Sequence, residues 1–160
     1  MQYYIKQQLF SWKDRFTVKD ARGNDRYFVE GELFSFAKKL RVWNAADEEV
    51  LYIEQKLWNW LPTYHLYIDG MEVAQVKKEF TFLRPRYAIN GPDWDVEGNV
   101  WEHNYTIREN GRVIADIRKE WFTWGDSYVL NIQDEAHAEL ALGIIIVIDC
   151  VLAASQNASS

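Results

Sequence analysis

One short segment recurs along this chain in altered form. Residues 5–12 read IKQQLFSW, 29–36 VEGELFSF, 53–60 IEQKLWNW and 117–124 IRKEWFTW. A seven-residue version, VKKEFTF, fills 76–82, and an abbreviated copy runs from Val96 to Trp101. The leading residues Ile5, Val29, Ile53, Val76, Val96 and Ile117 are spaced by 24, 24, 23, 20 and 21 positions. Behind each copy comes a second, alternating segment: Phe16 and Val18, Leu40 and Val42, Tyr64 and Leu66, Tyr87 and Ile89, Tyr105 and Ile107, Tyr128 and Leu130. Apolar residues at a period of two mark half-buried strands. The units close on turn-forming residues such as DARGND at 20–25, Asp69-Gly70, Asn90-Gly91-Pro92 and Asn110-Gly111. The chain is therefore read as six hairpins in series.

Six hairpins supply about twelve strands. A propeller would use two units per blade and reach only about three blades, fewer than propellers have. A closed antiparallel barrel fits better. With strands about 4.8 Å apart and tilted by about 40°, it would measure roughly 24 Å between opposite backbones. Side chains alone do not reach across that width. A helix about 10 Å thick does fill it. Bulky residues also flank each hairpin end, as Trp12/Phe16, Phe36/Leu40, Trp60/Tyr64, Phe82/Tyr87, Trp101/Tyr105 and Trp124/Tyr128. These predict contacts across the hairpin ends worth about 0.2–1 kcal/mol per pair, with ligand stacking as the functional alternative. The inward face of the first strands stays open, since Ile5/Leu9 and Phe10/Trp12 compete for it.

The filler is near the end of the chain. Residues 140–148 read LALGIIIVI, and apolar character resumes after Asp149 as CVLAA. A segment apolar on every side belongs in a core or a membrane. The β-branched run at 144–148 favours a strand, but the length and the Ala and Leu flanks favour a helix over 135–154, capped by Asp134 with Glu135 and Glu139 at its positive end. As a membrane anchor it is poor: Asp149 interrupts it at a cost of about 2.5–3.5 kcal/mol, and no Lys or Arg follows. Burying its large residues contributes roughly 10–20 kcal/mol. The expected architecture is thus mainly β: a twelve-stranded closed antiparallel barrel of six hairpins around a buried C-terminal helix. It forms a single domain over residues 1–155, with 156–160 as a flexible tail.

Charge and cysteine content narrow the functional classes. With 18 Lys and Arg against 24 Asp and Glu, the formal charge is -6, which disfavours non-specific nucleic-acid binding. The single cysteine, Cys150, excludes an intrachain disulfide, and the start MQYYIKQQLF lacks the layout of a signal peptide. A cytoplasmic location is expected, free or at the membrane periphery.

The segments YIKQQLFSW, YIEQKLWNW and VKKEFTF, the hairpin WFTWGDSY and the closing apolar stretch ending IDCVL resemble the LURP-one-related family, including its YxjI-like branch. The resemblance covers residues 3–152. It implies the fold shared with the Tubby C-terminal domain and the phospholipid scramblases, a twelve-stranded barrel around a C-terminal helix. Tubby domains bind phosphoinositides, scramblases are associated with moving lipids, and plant members with defence. These are analogies of fold.

A search for chemistry returns little. His65, His103 and His137 are far apart in sequence, and no zinc spacing, nucleophile elbow, phosphate-binding glycine loop or dinucleotide fingerprint is present. No catalytic residue, metal site or cofactor is expected. The acids between 131 and 139 lack the ligand spacing of a calcium loop and read as helix caps, and Glu102-His103 reads as a solvated pair in a turn. Asp149 is the one forced case: a buried carboxylate near a helix C-terminus needs a proton, a cation, an open mouth or a hydrogen-bond donor such as a Tyr hydroxyl. The other candidate is a patch for an anionic ligand, made of Lys77, Lys78, Arg84 and Arg86 in one hairpin with Arg118 and Lys119 in another. The expected function is a non-catalytic binding or scaffold module whose outer wall meets an anionic phospholipid or a protein partner. The alternatives are a small-ligand carrier or enzyme with a pocket at the barrel end, and a scramblase-like role.

Overall fold

The computed structural model describes residues 1–6, 15–32, 37–57, 61–79, 86–122 and 125–158. Twelve strands make one antiparallel sheet: β1 (Gln2–Lys6), β2 (Phe16–Asp20), β3 (Asp25–Gly31), β4 (Lys39–Asn44), β5 (Glu49–Lys56), β6 (Thr63–Ile68), β7 (Met71–Glu79), β8 (Arg86–Asn90), β9 (Trp94–Asn99), β10 (Asn104–Glu109), β11 (Arg112–Phe122) and β12 (Gly125–Ile132). Consecutive strands pair, and β1 also pairs with β12, so the chain start is zipped onto the last strand; the Met1 amino group donates to the Ile132 carbonyl at 2.6 Å. The remaining two, β8 and β9, run side by side without a ladder. Between them Pro92 has no N–H to give, and the Trp94 N–H turns back onto the Pro92 carbonyl at 2.9 Å instead of crossing. The sheet is a barrel closed everywhere except at this seam.

The expected filler is a helix. After a 3-10 turn at Glu135–His137, whose first residues are capped by the Asp134 carboxylate accepting from the Ala136 N–H at 3.0 Å, α1 (Ala138–Ala158) follows. The β-branched run at 144–148 is helical because every side of it is buried, so tertiary packing overrides the modest cost of β-branching. The helix runs on to Ala158, beyond the expected end at 154 and into the expected tail at 156–160; just before that tail Ser155 Oγ donates to the Val151 carbonyl at 2.9 Å, and residues 159–160 lie outside the described residues. By length and apolar content this helix would also cross a membrane, but here it is enclosed. All twelve strands contribute to one buried cluster that contains it.

The repeat has a simple structural meaning. Ile5, Val29, Ile53, Val76 and Ile117 are buried, with Val96 packed against the same cluster, so the leading residue of every unit points into the barrel. The competition over the first strands resolves toward the Ile5 face; Leu9, Phe10 and Trp12 lie outside the described residues. Five of the expected bulky pairs likewise have a member there: Trp12, Phe36, Trp60, Phe82 and Trp124. The sixth does not form, because Trp101 is 46% exposed in a 3-10 turn while Tyr105 is buried.

Since all odd-numbered strands run the same way, the barrel has two distinct ends. The closing turns at 21–24, 45–48, 69–70, 91–93 and 110–111 share one end, called the turn end, with the entry to α1. The links that follow the odd strands leave the other, the link end. Midway, α1 lies closest to β5, β6 and β7, where Gly143 faces Leu51 and Leu66.

Candidate functional site

Toward the link end the barrel interior changes character. Two residues after each leading apolar position stand Gln55, Lys78 and Lys119, and across the ladder from them Tyr64, Tyr87 and Tyr128. Tyr105 stands opposite Gly98 and Ile117. Cross-strand partners share a face. Four tyrosines therefore line the interior at one level, around the C-terminal half of α1.

Asp149 meets this ring. It is 3% exposed, and the Tyr128 hydroxyl donates to its Oδ2 in a short hydrogen bond. Its Oδ1 lies 3.3 Å from His103 Nδ1, and the His103 ring stacks flat on Tyr128 with centroids 4.9 Å apart. His103 is thus turned inward, not solvated as the sequence suggests. It follows the 3-10 turn Val100–Glu102 in a left-handed conformation, φ 49°, which swings the chain back into β10. Asn99 fixes that turn by accepting from the Glu102 N–H at 3.3 Å.

Burial, and then the Asp149 charge, hold the Tyr105 and Tyr128 phenols well above their ordinary range, and the same two causes push Tyr87 up to about 12. Burial likewise raises Tyr64 and the Cys150 thiol. These groups therefore keep their protons. Of the four tyrosines Tyr128 is the one that donates to Asp149, and the thiol is not a nucleophile. Among the described residues the Tyr87 and Tyr105 hydroxyls have no hydrogen-bond partner. At the rim, Lys78 Nζ donates to Ser155 Oγ at 3.3 Å, tying β7 to the end of α1.

The five described cations of the expected patch are not brought together. Adjacent residues on a strand point to opposite faces, so Lys78 and Lys119 lie on the inner face while Lys77 and Arg118 lie on the outer one. Arg86 is exposed at the link end across from Glu79, and Arg84 lies outside the described residues. Three strands, β8 to β10, separate β7 from β11, which is about 19 Å around the wall at the usual strand spacing. Arg118 instead belongs to an open groove of about 620 Å³ over β10 and β11, lined also by Thr106, Arg108, Arg112, Asp116 and Gln133. Every arginine in it faces an acid: Arg108 with Glu97 at 3.0 Å, Arg112 with Glu109 at 3.2 Å, Arg118 with Asp116 at 3.3 Å. Its charge is balanced, which makes it a weak magnet for an anion. Among the described residues no group of three His, Cys, Asp or Glu side chains is placed to hold a metal.

Sequence reasoning missed the tyrosine ring. Its signal is present, because Tyr64, Tyr87, Tyr105 and Tyr128 occupy one repeat position, but that position reads equally well as a hairpin-end contact.

The family model described as LURP-one-related matches residues 1–149. A Bacillus subtilis (strain 168) protein named Uncharacterized protein YxjI is 33% identical over 159 residues, which are 99% of this chain and 98% of the relative. An X-ray structure of a protein from Arabidopsis thaliana superposes with a TM-score of 0.64 over 93% of this chain and 90% of that one, at 15% identity, a likeness of fold alone.

Proposed function

The chain belongs to the LURP-one-related family, and from that premise we propose that it is a binding module that meets an anionic phospholipid surface with the outside of its barrel, at the cytoplasmic face of a membrane. The observation that carries this reading is the filled interior. In a lipocalin-like barrel the axial space holds the ligand, whereas here α1 is buried in it together with residues from all twelve strands. Recognition is left to the wall and the rims. There the balanced groove over β10 and β11 is a poor candidate, while Lys77 and Arg86 on β7 and β8 offer outward cations near the link end.

Cosedimentation with phosphatidylcholine vesicles, with and without phosphatidylserine, tests the reading. Binding is expected only with the anionic lipid, and raising the salt should weaken it, since each cation near such a surface contributes about 1 kcal/mol. Lys77→Glu with Arg86→Glu should lower affinity by at least about tenfold. Equal binding to both vesicle types, or binding to neither, refutes the reading; in the latter case a protein partner becomes the better account.

A further inference from the structure

A second open groove lies on the outer wall, toward the turn end of β4, β5 and β6. Adjacent residues of a strand face opposite ways, so with Val42, Leu51, Ile53 and Leu66 turned into the barrel, Arg41, Tyr52, Glu54 and Tyr67 stand outside it. Together with Glu49 and Asp69 they line a groove of about 470 Å³. Its floor is aromatic: Tyr52 and Tyr67 are cross-strand partners, with ring centroids 5.8 Å apart and planes tilted by 36°. Its lip is apolar, because Val50 lines it and Met71, directly after the lining residue Gly70, is 68% exposed.

Half of this groove already holds a cation of the chain's own. The Arg41 guanidinium lies 4.8 Å from the centroid of the Tyr52 ring and is held there by Glu49 at 2.6 Å and Glu32 at 3.4 Å. The half beside Tyr67 has the same parts without an arginine. Lys56 Nζ comes only to 5.9 Å from that ring, close to the limit of about 6 Å for such a contact. Among the described residues neither Glu54 nor Asp69 forms a salt bridge. Three lining carboxylates, Glu49, Glu54 and Asp69, against the one guanidinium of Arg41 leave the groove at -2. Neighbouring charges do not cancel this, since Lys39 faces Glu32 at 3.9 Å and Glu72 stands opposite Tyr67.

We infer that this groove takes a basic segment of a protein partner. An arginine or lysine side chain of that segment rests on the Tyr67 ring with Glu54 and Asp69 as its counter-charges, and a neighbouring apolar side chain meets Val50 and Met71. The face of a tyrosine ring attracts a cation, and carboxylates around it add steering and select against acidic partners. Arg41 on Tyr52 is the same contact made within the chain. A choline headgroup also offers a cation, but it carries a phosphate beside it that the lining carboxylates repel. The inference stands apart from the phospholipid reading: Lys77 and Arg86 lie near the link end, so the two contacts use different residues.

The test titrates the full chain against short fluorescein-labelled peptides that alternate arginine with leucine or glutamate with leucine, read by fluorescence anisotropy. The arginine peptide should bind and the glutamate peptide should not. Tyr67→Ala should weaken binding by about tenfold, and Tyr67→Phe, which keeps the ring, by less than about threefold. Glu54→Gln with Asp69→Asn should also weaken it by about tenfold; asparagine suits the left-handed backbone at 69, where φ is 50°. As a control, Asp95→Asn with Glu102→Gln removes the same charge from exposed positions on β9 and the turn after it, and should leave affinity unchanged. An equal loss in the control shows only general attraction to a chain of charge -6 and overturns the inference. Full affinity in Tyr67→Ala, equal binding of the two peptides, or no binding of the arginine peptide overturns it too. If Tyr67→Ala does not fold, the Glu54 and Asp69 pair decides against its control, since both side chains lie outside the barrel.

Discussion

Gly143 offers a direct measurement of how tightly the axial helix fits its barrel. A methyl group built on its Cα would lie 2.4 Å from Leu51 Cδ2 and 2.8 Å from Leu66 Cδ2, roughly 1 Å or more short of ordinary carbon–carbon contact. Both leucines are fully buried, so neither swings aside freely. In an exposed helix Gly→Ala stabilises by about 1 kcal/mol through backbone entropy. Here overpacking opposes that gain at about 1–3 kcal/mol. Gly143→Ala should therefore destabilise by up to about 2 kcal/mol. Leu51→Ala alone should cost about 2–5 kcal/mol. In the Leu51→Ala background, however, one obstruction is gone and Leu66 gains room to move, so adding Gly143→Ala should stabilise by about 1 kcal/mol. The sign of the glycine substitution thus reverses between backgrounds, a coupling that urea unfolding followed by circular dichroism resolves from the midpoints at constant m. If Gly143→Ala instead stabilises both backgrounds equally, the helix does not press on β5 and β6, and the case for a filled interior weakens with it.

Two further predictions concern the ring around Asp149. Folded-state phenol pKa values lie above those of the unfolded chain: Tyr87 is pushed up to about 12, and Tyr105 and Tyr128 are well above their ordinary 10. The unfolded chain therefore loses these protons first as pH rises, so their contribution to stability is complete below pH about 10 and is lost above it. Tyrosinate absorbance should show Tyr87, Tyr105 and Tyr128 ionising only as the circular dichroism signal collapses; their ionisation in a folded protein would contradict the burial. Tyr128→Phe removes the hydroxyl that donates to a buried carboxylate and should cost about 1–3 kcal/mol or more, whereas Asp149→Asn keeps an acceptor and should cost less. The reverse order in denaturant melts would show that the hydrogen bond is not what places Asp149.

The fold was legible because it repeats. Ile5, Val29, Ile53, Val76 and Ile117 carry one message five times over, that an apolar residue at this position faces the helix, and Val96 carries it in weaker form. The helix was legible for a different reason: a run apolar on all sides has few places to go. The site was less so. Lys77 and Lys78 are neighbours in sequence, yet a strand sends them to opposite faces, and the same is true of Arg118 and Lys119; pooling them ignored a period the sequence itself displays. His103 depended on a left-handed residue after a 3-10 turn, which Glu102-His103 alone does not announce. The groove over β10 and β11 joins residues from both strands and from the segment after β12, so no single stretch of sequence contains it.

The unlinked edges of β8 and β9 bear on how such a molecule is assembled. A ring of hydrogen bonds complete on all sides would have to be broken, or threaded end to end, to admit a 21-residue apolar helix that follows every strand in the chain. A seam without a ladder eases that requirement: β8 and β9 stay joined through residues 91–93, but with no hydrogen bonds between them to break they can part from the far end and close over the helix. The last step is then an alignment of side chains, with Tyr87 and Ile89 on one margin and Trp94 on the other, and no new ladder is formed. The same line is where the wall parts most cheaply, so a barrel without an internal ligand still has a built-in way to expose its own helix.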